Sequence, residues 1–504
     1  MKRSIVHWTC ILTLATAASS TPFAQQFSSR RAADFGQRVE RLLARLSGPL
    51  FGIEEPLAAP AGDADFVPRD QAAAGQRVKL AGSLQAGFVA RNVAEDADMI
   101  TFWPEAGGYT HLVLCIEQSR SGRTPAGNPG LNASVQRVEV ASGRVETILH
   151  GMSRCDGIRT TAWGTILATE ENGTDGRAYE ILDPLNTTGH WVADRASGDV
   201  RNALDSPDAS HQVAQRPRLG AFSWEGLAVF PNGVVIAGDE LRPGGGEEGG
   251  AIFKFIPAVL RAATDGPISD LSQSPLADGT LYALQVGSTD SGQGNQRGVA
   301  KWIGPVDFDD PADPGDSTSG AWARARNATG FYRPEDLHAD PEFPGPGARI
   351  YWTNTGNDGN RNYAETLIML EPDPASPTSR PEIQTFVEGD GRFNSFDNLD
   401  IQPRTGRVYV IEDDSFGEVW ACLPDGDDRN LQADGCVSIL SVVDPAAEPT
   451  GFIFDASGTR AFLVVQHGQQ VESLRDFASN PVDGGTDDLL MITGFETAIP
   501  SGGR

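Results

Sequence analysis

The chain has 504 residues, with 40 Lys+Arg against 68 Asp+Glu and a formal net charge of -28. A surface this acidic repels phosphate backbones and anionic lipid, so nucleic acid and membrane surfaces are poor partners, whereas divalent cations are favoured. With 57 Gly, 33 Pro and 39% hydrophobic residues, the composition suits a turn-dense all-β chain, long enough for one large propeller or two ordinary domains.

Residues 1–24 read as a signal peptide. Lys2 and Arg3 precede an apolar run over residues 5–18, and Ala17, Ala18, Ser19 and Ser20 supply small residues near a cleavage point. The run is too short and interrupted for a membrane span, and no later stretch could cross a bilayer. No twin-Arg pair and no lipobox precede Cys10. The expectation is a Sec-type export signal and a periplasmic or secreted protein. Residues 25–79 hold a helix and a connector. In the helix, about residues 30–46, Phe35, Val39, Leu42, Leu43 and Leu46 share one face, which predicts docking on the outside of the fold. From residue 80 to residue 496 the strand pattern runs without a domain break, and residues 497–504 form a C-terminal tail.

Within 80–496 one phrase recurs. An acidic or polar residue opens a short apolar strand, a Pro/Gly turn follows, and a second apolar strand ends on another acid or amide. The clearest copy runs from Ser223 through Glu225 and Pro231 to Asp239 and Glu240. Others run from Arg333 through Glu335 to Asn354, from Ser395 through Asp397 to Glu412, Asp413 and Asp414, and from Glu448 through Gly458 to Gln466 and His467. Asp98 to Glu117 fits the same phrase, and residues 161–171 are a worn copy ending in Glu170 and Glu171. Recurring strand pairs of this kind predict a β-propeller, and the spacing leaves room for about six blades with long loop insertions between them.

Each hairpin places its turn on one face of the disc and its two outer ends on the other. If the first strands line the channel, Asp98, Glu225, Glu335 and Asp397 ring its mouth. Glu117, Glu170, Glu171, Asp239, Glu240 and Glu412 crowd beside them. So many carboxylates share a small site only if cations neutralise them or they take up protons. The alternative is that each acid is a solvated strand-end residue.

Five cysteines are present, and Cys10 leaves with the signal. Cys422 and Cys436 flank an acidic loop and predict a local disulfide. Cys155 is a candidate metal thiolate; the alternatives are a buried structural thiol or a bridge to Cys115. Gly244 to Gly249 matches GxGxxG in form, but two glutamates inside it would repel phosphate. Asp309, Asp310, Asp313 and Asp316 read as a solvated acidic loop rather than a calcium site. No GxSxG, HExxH or Walker A motif occurs, and the seven histidines form no zinc-ligand pair.

Five motifs in order carry a family resemblance. They are Cys155-Asp-Gly157 leading to Ala162-Trp-Gly-Thr165 and Thr169-Glu-Glu171; Phe222-Ser-Trp-Glu225; Arg333-Pro-Glu335; Ser395-Phe-Asp-Asn-Leu399; and Glu448-Pro-Thr-Gly451 with Val465-Gln-His467. Over about residues 80–470 the chain resembles the PhoX-type alkaline phosphatases. The resemblance implies a propeller phosphatase with iron(III) and calcium at the channel mouth, acting on a small phosphorylated substrate, and a monomer. Cys155 would bind iron. Glu225, Glu335 and Asp397 would bind calcium or iron, with Glu170, Glu171 and Glu240 as further ligand candidates. Arg333 would hold a phosphate oxygen, so Arg333 and Cys155 are the catalytic candidates. The chain departs from the family pattern at Trp224, where the family has His; at Asn398, where it has Gly; at Asp156-Gly157-Ile158-Arg159, where a Gly pair is broken; and in lacking a twin-Arg signal. Arg159 is a candidate substitute anion contact, or else an exposed turn arginine. Beside the phosphatase stand two other readings. One is a different calcium-dependent propeller hydrolase, a lactonase or phosphodiesterase. The other is a non-catalytic calcium-stabilised binding propeller.

Overall fold

The computed structural model describes residues 41–121, 130–208, 211–244, 249–262, 264–287, 296–306, 319–424, 435–482 and 484–497. The signal peptide, most of the amphipathic helix, the Asp309–Asp316 loop and most of the Gly244–Gly249 loop lie outside these residues, as does the tail beyond residue 497.

The recurring phrases fold as antiparallel hairpins. Their first strands are Ala97–Trp103, Cys155–Thr160, Trp224–Val229, Pro334–Ala339, Phe396–Ile401 and Glu448–Phe454. Each packs against the next, and the last packs against the first, so the strands close a ring around a channel. The second strands, His111–Ile116, Ile166–Glu170, Val235–Asp239, Ala348–Asn354, Val408–Glu412 and Arg460–Gln466, pair outside them. The fold is an all-β propeller. Gly298–Ile303 pairs with Glu382–Glu388 and joins two neighbouring units into one nine-stranded sheet.

Closure comes from the chain ends. Gln85–Ala94 pairs with Thr486–Thr493, in the same sheet as Arg460–Gln466 and Glu448–Phe454. Ahead of it, Arg69 and Arg77 both reach Asp488, at 3.0 Å each, and all three side chains are fully buried. This tie fixes the connector onto the closing sheet, and breaking such a buried pair typically costs about 3–5 kcal/mol.

The strands are apolar because each sheet is covered on both faces by its neighbours. Val408–Glu412 and Arg460–Gln466 are buried almost throughout. Leu463, Leu490 and Ile492 are wholly buried in one inter-sheet core, each burial contributing roughly 1.5–3 kcal/mol. Near the axis the strands crowd closely. A Cβ at Gly157 would collide with the Glu225 carbonyl, and one at Gly226 with the Leu337 amide. Only glycine fits there.

The N-terminal helix is helical over residues 41–45, and the described residues of its expected apolar face are only partly buried. Leu43 enters the core, whereas Leu42 is 54% and Leu46 41% exposed. Cys422 and Cys436 form the expected disulfide. Among the described residues, no helix is long and apolar enough to cross a membrane.

Candidate functional site

Two repeated positions build the mouth. The first is the residue just inside each first strand. Pairing slips there by one residue, at a bulge after Ala97, Cys155, Trp224, Pro334 and Phe396. A bulge re-aims the side chain that follows it, and the residues that follow are Asp98, Asp156, Glu225, Glu335 and Asp397. In the sixth strand the bulge lies deeper, after Thr450, and Glu448 reaches the mouth instead. The second position is the residue after each second strand: Glu117, Glu171, Glu240, Thr355, Asp413 and His467. Thr355 donates its hydroxyl to Glu335. The others line, with Arg154 and Arg333, one cavity of about 350 Å³.

Strand alternation decides which acid of each pair faces the mouth. Glu170, the last residue of its strand, points away from the cavity that Glu171 enters. It accepts from the Ser153 and Arg177 amides at 2.8 and 3.0 Å and pairs with Arg195 at 2.6 Å. Asp239 likewise accepts from the Ser223 amide, and Glu412 from the Asn394 and Glu418 amides. The expectation that Glu170, Asp239 and Glu412 crowd the mouth is therefore corrected: they tie the backbone behind it.

The same alternation corrects Cys155. Because Asp156 faces the mouth, Cys155 faces the space between sheets, wholly buried, and its sulfur is bonded to Cys115. It offers no thiolate to a metal and no nucleophile. Trp224, beside Glu225, is also core, stacked on Phe222 at 4.0 Å. Trp163 and Thr165 of the shared motif donate to the buried Glu180. Arg159 is neither an exposed turn residue nor an anion contact at the mouth. It lies deeper in the channel, paired with Asp336 at 2.8 Å.

The mouth gathers ten carboxylates against Arg154, Arg333 and His467. Two trios each bring ligand oxygens within 4.8 Å of one another: Asp98, Glu117 and Asp156, and Glu225, Glu335 and Asp397. Burial, reinforced by neighbouring carboxylates, raises Asp98, Asp156, Glu225 and Asp397 well above the carboxylate range. Glu335 is pushed up to about 8 by burial, even beside Arg333. Burial also lifts Glu171 to about 7 and Glu240 to about 8, and these two carboxyls hydrogen-bond to each other. His467 bridges Asp96 at 3.0 Å and Glu448 at 3.3 Å, and those bonds raise it to about 11.

This donor set fits a hard cation. Asp98 Oδ1 and Asp156 Oδ1 are buried oxygens without a hydrogen-bond partner, an unfavourable state that a cation would relieve. It does not fit a thiolate-bound metal. Arg333 has its Nε on Glu240 and 3.1 Å from Glu335. Burial lowers its pKa, but the charges of Glu335 and Glu240 outweigh that and hold it above the usual arginine range. Its guanidinium is thus a fixed cation over an anionic cup, the arrangement that grips an oxyanion bidentately.

Arg154, Asp156, Asp413, Glu448 and His467 were not among the expected site residues. One signal for Arg154 and Asp156 was in the sequence: Arg154-Cys-Asp156 has the spacing of Arg333-Pro-Glu335 and falls at the same point of the repeat.

Fold and site together define a propeller whose channel mouth is a polycarboxylate, arginine-bearing centre. The model of the alkaline phosphatase PhoX family matches residues 130–469, and the chain belongs to that family. Among solved structures it is similar to Pseudomonas fluorescens PhoX in complex with vanadate, a transition state analogue. Identity there is 17% and the TM-score 0.57, covering 88% of this chain and 98% of that one. A putative gluconolactonase follows at 11% identity and TM-score 0.40, covering 82% and 92% of the two chains. A luciferin-regenerating enzyme aligns at 9% identity and TM-score 0.41, covering 82% and 97%. No curated protein sequence matches the chain.

Proposed function

We propose that this chain is an exported, metal-dependent phosphatase that hydrolyses small phosphomonoesters at the channel mouth. The observation that carries the reading is Arg333, held by Glu240 and Glu335 over the carboxylate trio Glu225, Glu335 and Asp397 in a member of the PhoX family. Calcium is the proposed resident ion, since every available donor is oxygen. Iron(III), implied by the resemblance, would have only these carboxylates, because the Cys155 sulfur is bonded elsewhere. A bound cation supplies charge neutralisation and polarisation of a phosphoryl oxygen.

The chain's own residues do the rest. Arg333 holds a phosphate oxygen and stabilises the charge that grows in the transition state. Glu240 fixes the Arg333 guanidinium. Glu171 hydrogen-bonds to Glu240 in turn, which places both carboxyls beside the Arg333 guanidinium at the cavity wall. Export is supported by the N-terminal sequence and by two disulfides, which persist in oxidising compartments. The test is aryl phosphate hydrolysis by calcium-loaded protein, with and without iron, across pH 6–10, alongside metal analysis. No hydrolysis under any loading sinks the reading. Calcium-dependent cleavage of lactones or phosphodiesters in its place would favour the second reading, which the all-oxygen donor set also suits.

A further inference from the structure

Arg154 and Arg333 occupy the same place in the repeat. Each stands one residue before its first strand and two before the bulged acid, Asp156 or Glu335. Both have left-handed backbone, φ 51° and 53°, a conformation that costs a residue with a Cβ roughly 1–2 kcal/mol. Asp96 and Ser395 at the equivalent positions share it. The kink thus recurs before four of the six first strands, and at two of them, Arg154 and Arg333, the side chain lines the mouth. The backbone of Arg154 is held on both sides: its amide donates to the Gln118 carbonyl at 3.0 Å, and its carbonyl accepts from the Glu171 amide at 2.8 Å. The next residue is tied by the Cys115–Cys155 disulfide.

The contacts repeat as well. Each arginine reaches the acid that ends the preceding hairpin: Arg154 lies 3.9 Å from Glu117, and Arg333 contacts Glu240. Arg154 also lies 3.4 Å from Glu171, and Glu171 hydrogen-bonds to Glu240. The two guanidiniums therefore flank a single carboxylate pair on the wall of one cavity. Their depths differ. The Arg333 side chain is 18% exposed and that of Arg154 53%.

We propose that Arg154 is a specificity-determining residue, a rim anchor for a second anionic group. The preferred substrates are then phosphate esters whose leaving part carries a carboxylate or another phosphate. Arg333 takes the reacting phosphoryl group below, and Arg154 takes the second anion at the opening. A guanidinium fork on such a group, discounted for solvent at the half-exposed rim, is expected to raise affinity by up to about tenfold. The inference rests on the phosphatase reading for the identity of the deeper group, so binding and turnover are measured separately.

The experiment is calorimetry on the calcium-loaded full chain with two non-hydrolysable probes, phenylphosphonate and 4-carboxyphenylphosphonate. Wild-type protein is expected to bind the carboxylated probe more tightly, by up to about tenfold. Arg154→Ala should abolish that preference and Arg154→Lys should keep part of it, with circular dichroism confirming the fold of both. Arg333→Ala should weaken both probes alike. Equal binding of the two probes by wild type, or a preference that survives Arg154→Ala, overturns the proposal. Phenyl phosphate turnover is the separate readout. Absent turnover with an Arg154-dependent preference sinks the phosphatase reading and upholds the rim anchor.

Discussion

Glu335 and Asp336 are adjacent on one strand and both are buried, yet they titrate in opposite directions. Glu335 faces the mouth, where burial and the charges of Glu240 and Asp413 raise it to about 8 despite Arg333. Asp336 faces the channel, where burial is outweighed by His338 and Arg159, and it stays well below the usual carboxylate range. The deeper site is complete: Asp336 pairs with Arg159 at 2.8 Å and with His338 at 3.1 Å, and accepts the Leu399 amide at 3.1 Å. The mouth holds more carboxylates than the chain supplies cations for. Burial alone therefore does not set the charge of an acid; the local supply of cations does. The channel is a structural ion pair, and the mouth is short of countercharge, which protons or a bound cation would have to supply.

That contrast can be broken in four ways. Asp336→Asn should be the most damaging to the fold, since it leaves the part-buried Arg159 without its anion and His338 with Asp400 alone, at 3.5 Å. A loss of about 3–5 kcal/mol is expected in denaturant unfolding, with calcium affinity little changed. A loss near zero would mean that the channel pair is not the structural unit described. Next comes Arg333→Ala, expected to reduce aryl phosphate turnover by about 10²–10³-fold with metal content intact, and Arg333→Lys should recover only part. Glu335→Gln, one residue from Asp336, should do the reverse of Asp336→Asn. It should leave the calcium-free protein as stable as before but remove most of the calcium-induced rise in Tm, worth about 2.7 kcal/mol at a hundredfold excess over Kd.

The smallest effect is on pH dependence without metal. Glu171, Glu240, Glu335 and Glu448, at about 7 to about 8 when folded, all lie above their unfolded values. The folded state thus binds protons more tightly, so its stability is full at acid pH and is lost as pH rises through these values. Thermal scans in chelator should show Tm falling from pH 6 to pH 9, and excess calcium should flatten the slope. A Tm that rises over that interval in chelator would contradict the raised carboxyls.

The repeat made much of this visible beforehand. Apolar strands between turn residues give hairpins, and acids in phase with them give a ring, so Asp98, Glu225, Glu335 and Asp397 were legible at the mouth, as was the local pairing of Cys422 with Cys436. Membership of the PhoX family was legible too, because it rests on ordered local motifs. In the doublets Glu170-Glu171 and Asp239-Glu240 both residues were expected at the mouth, and in Glu412-Asp413 the expectation fell on Glu412, the wrong member. Only the strand's last paired residue tells which one turns back to bind amides and which enters the cavity, and that depends on register.

The thiolate reading of Cys155 failed for the same reason, and the alternative weighed beside it, a bridge to Cys115, is the one that forms. The motif gave the position of Cys155 but not its face, and its neighbour Asp156 took the mouth. Its bond to Cys115, 40 residues away, depended on two hairpins packing side by side. Local chain chemistry thus determined the strands, the turns and the acid-bearing positions. Closure of the ring decided which side chains converge, because charges brought together from separate hairpins acquire their meaning only from one another.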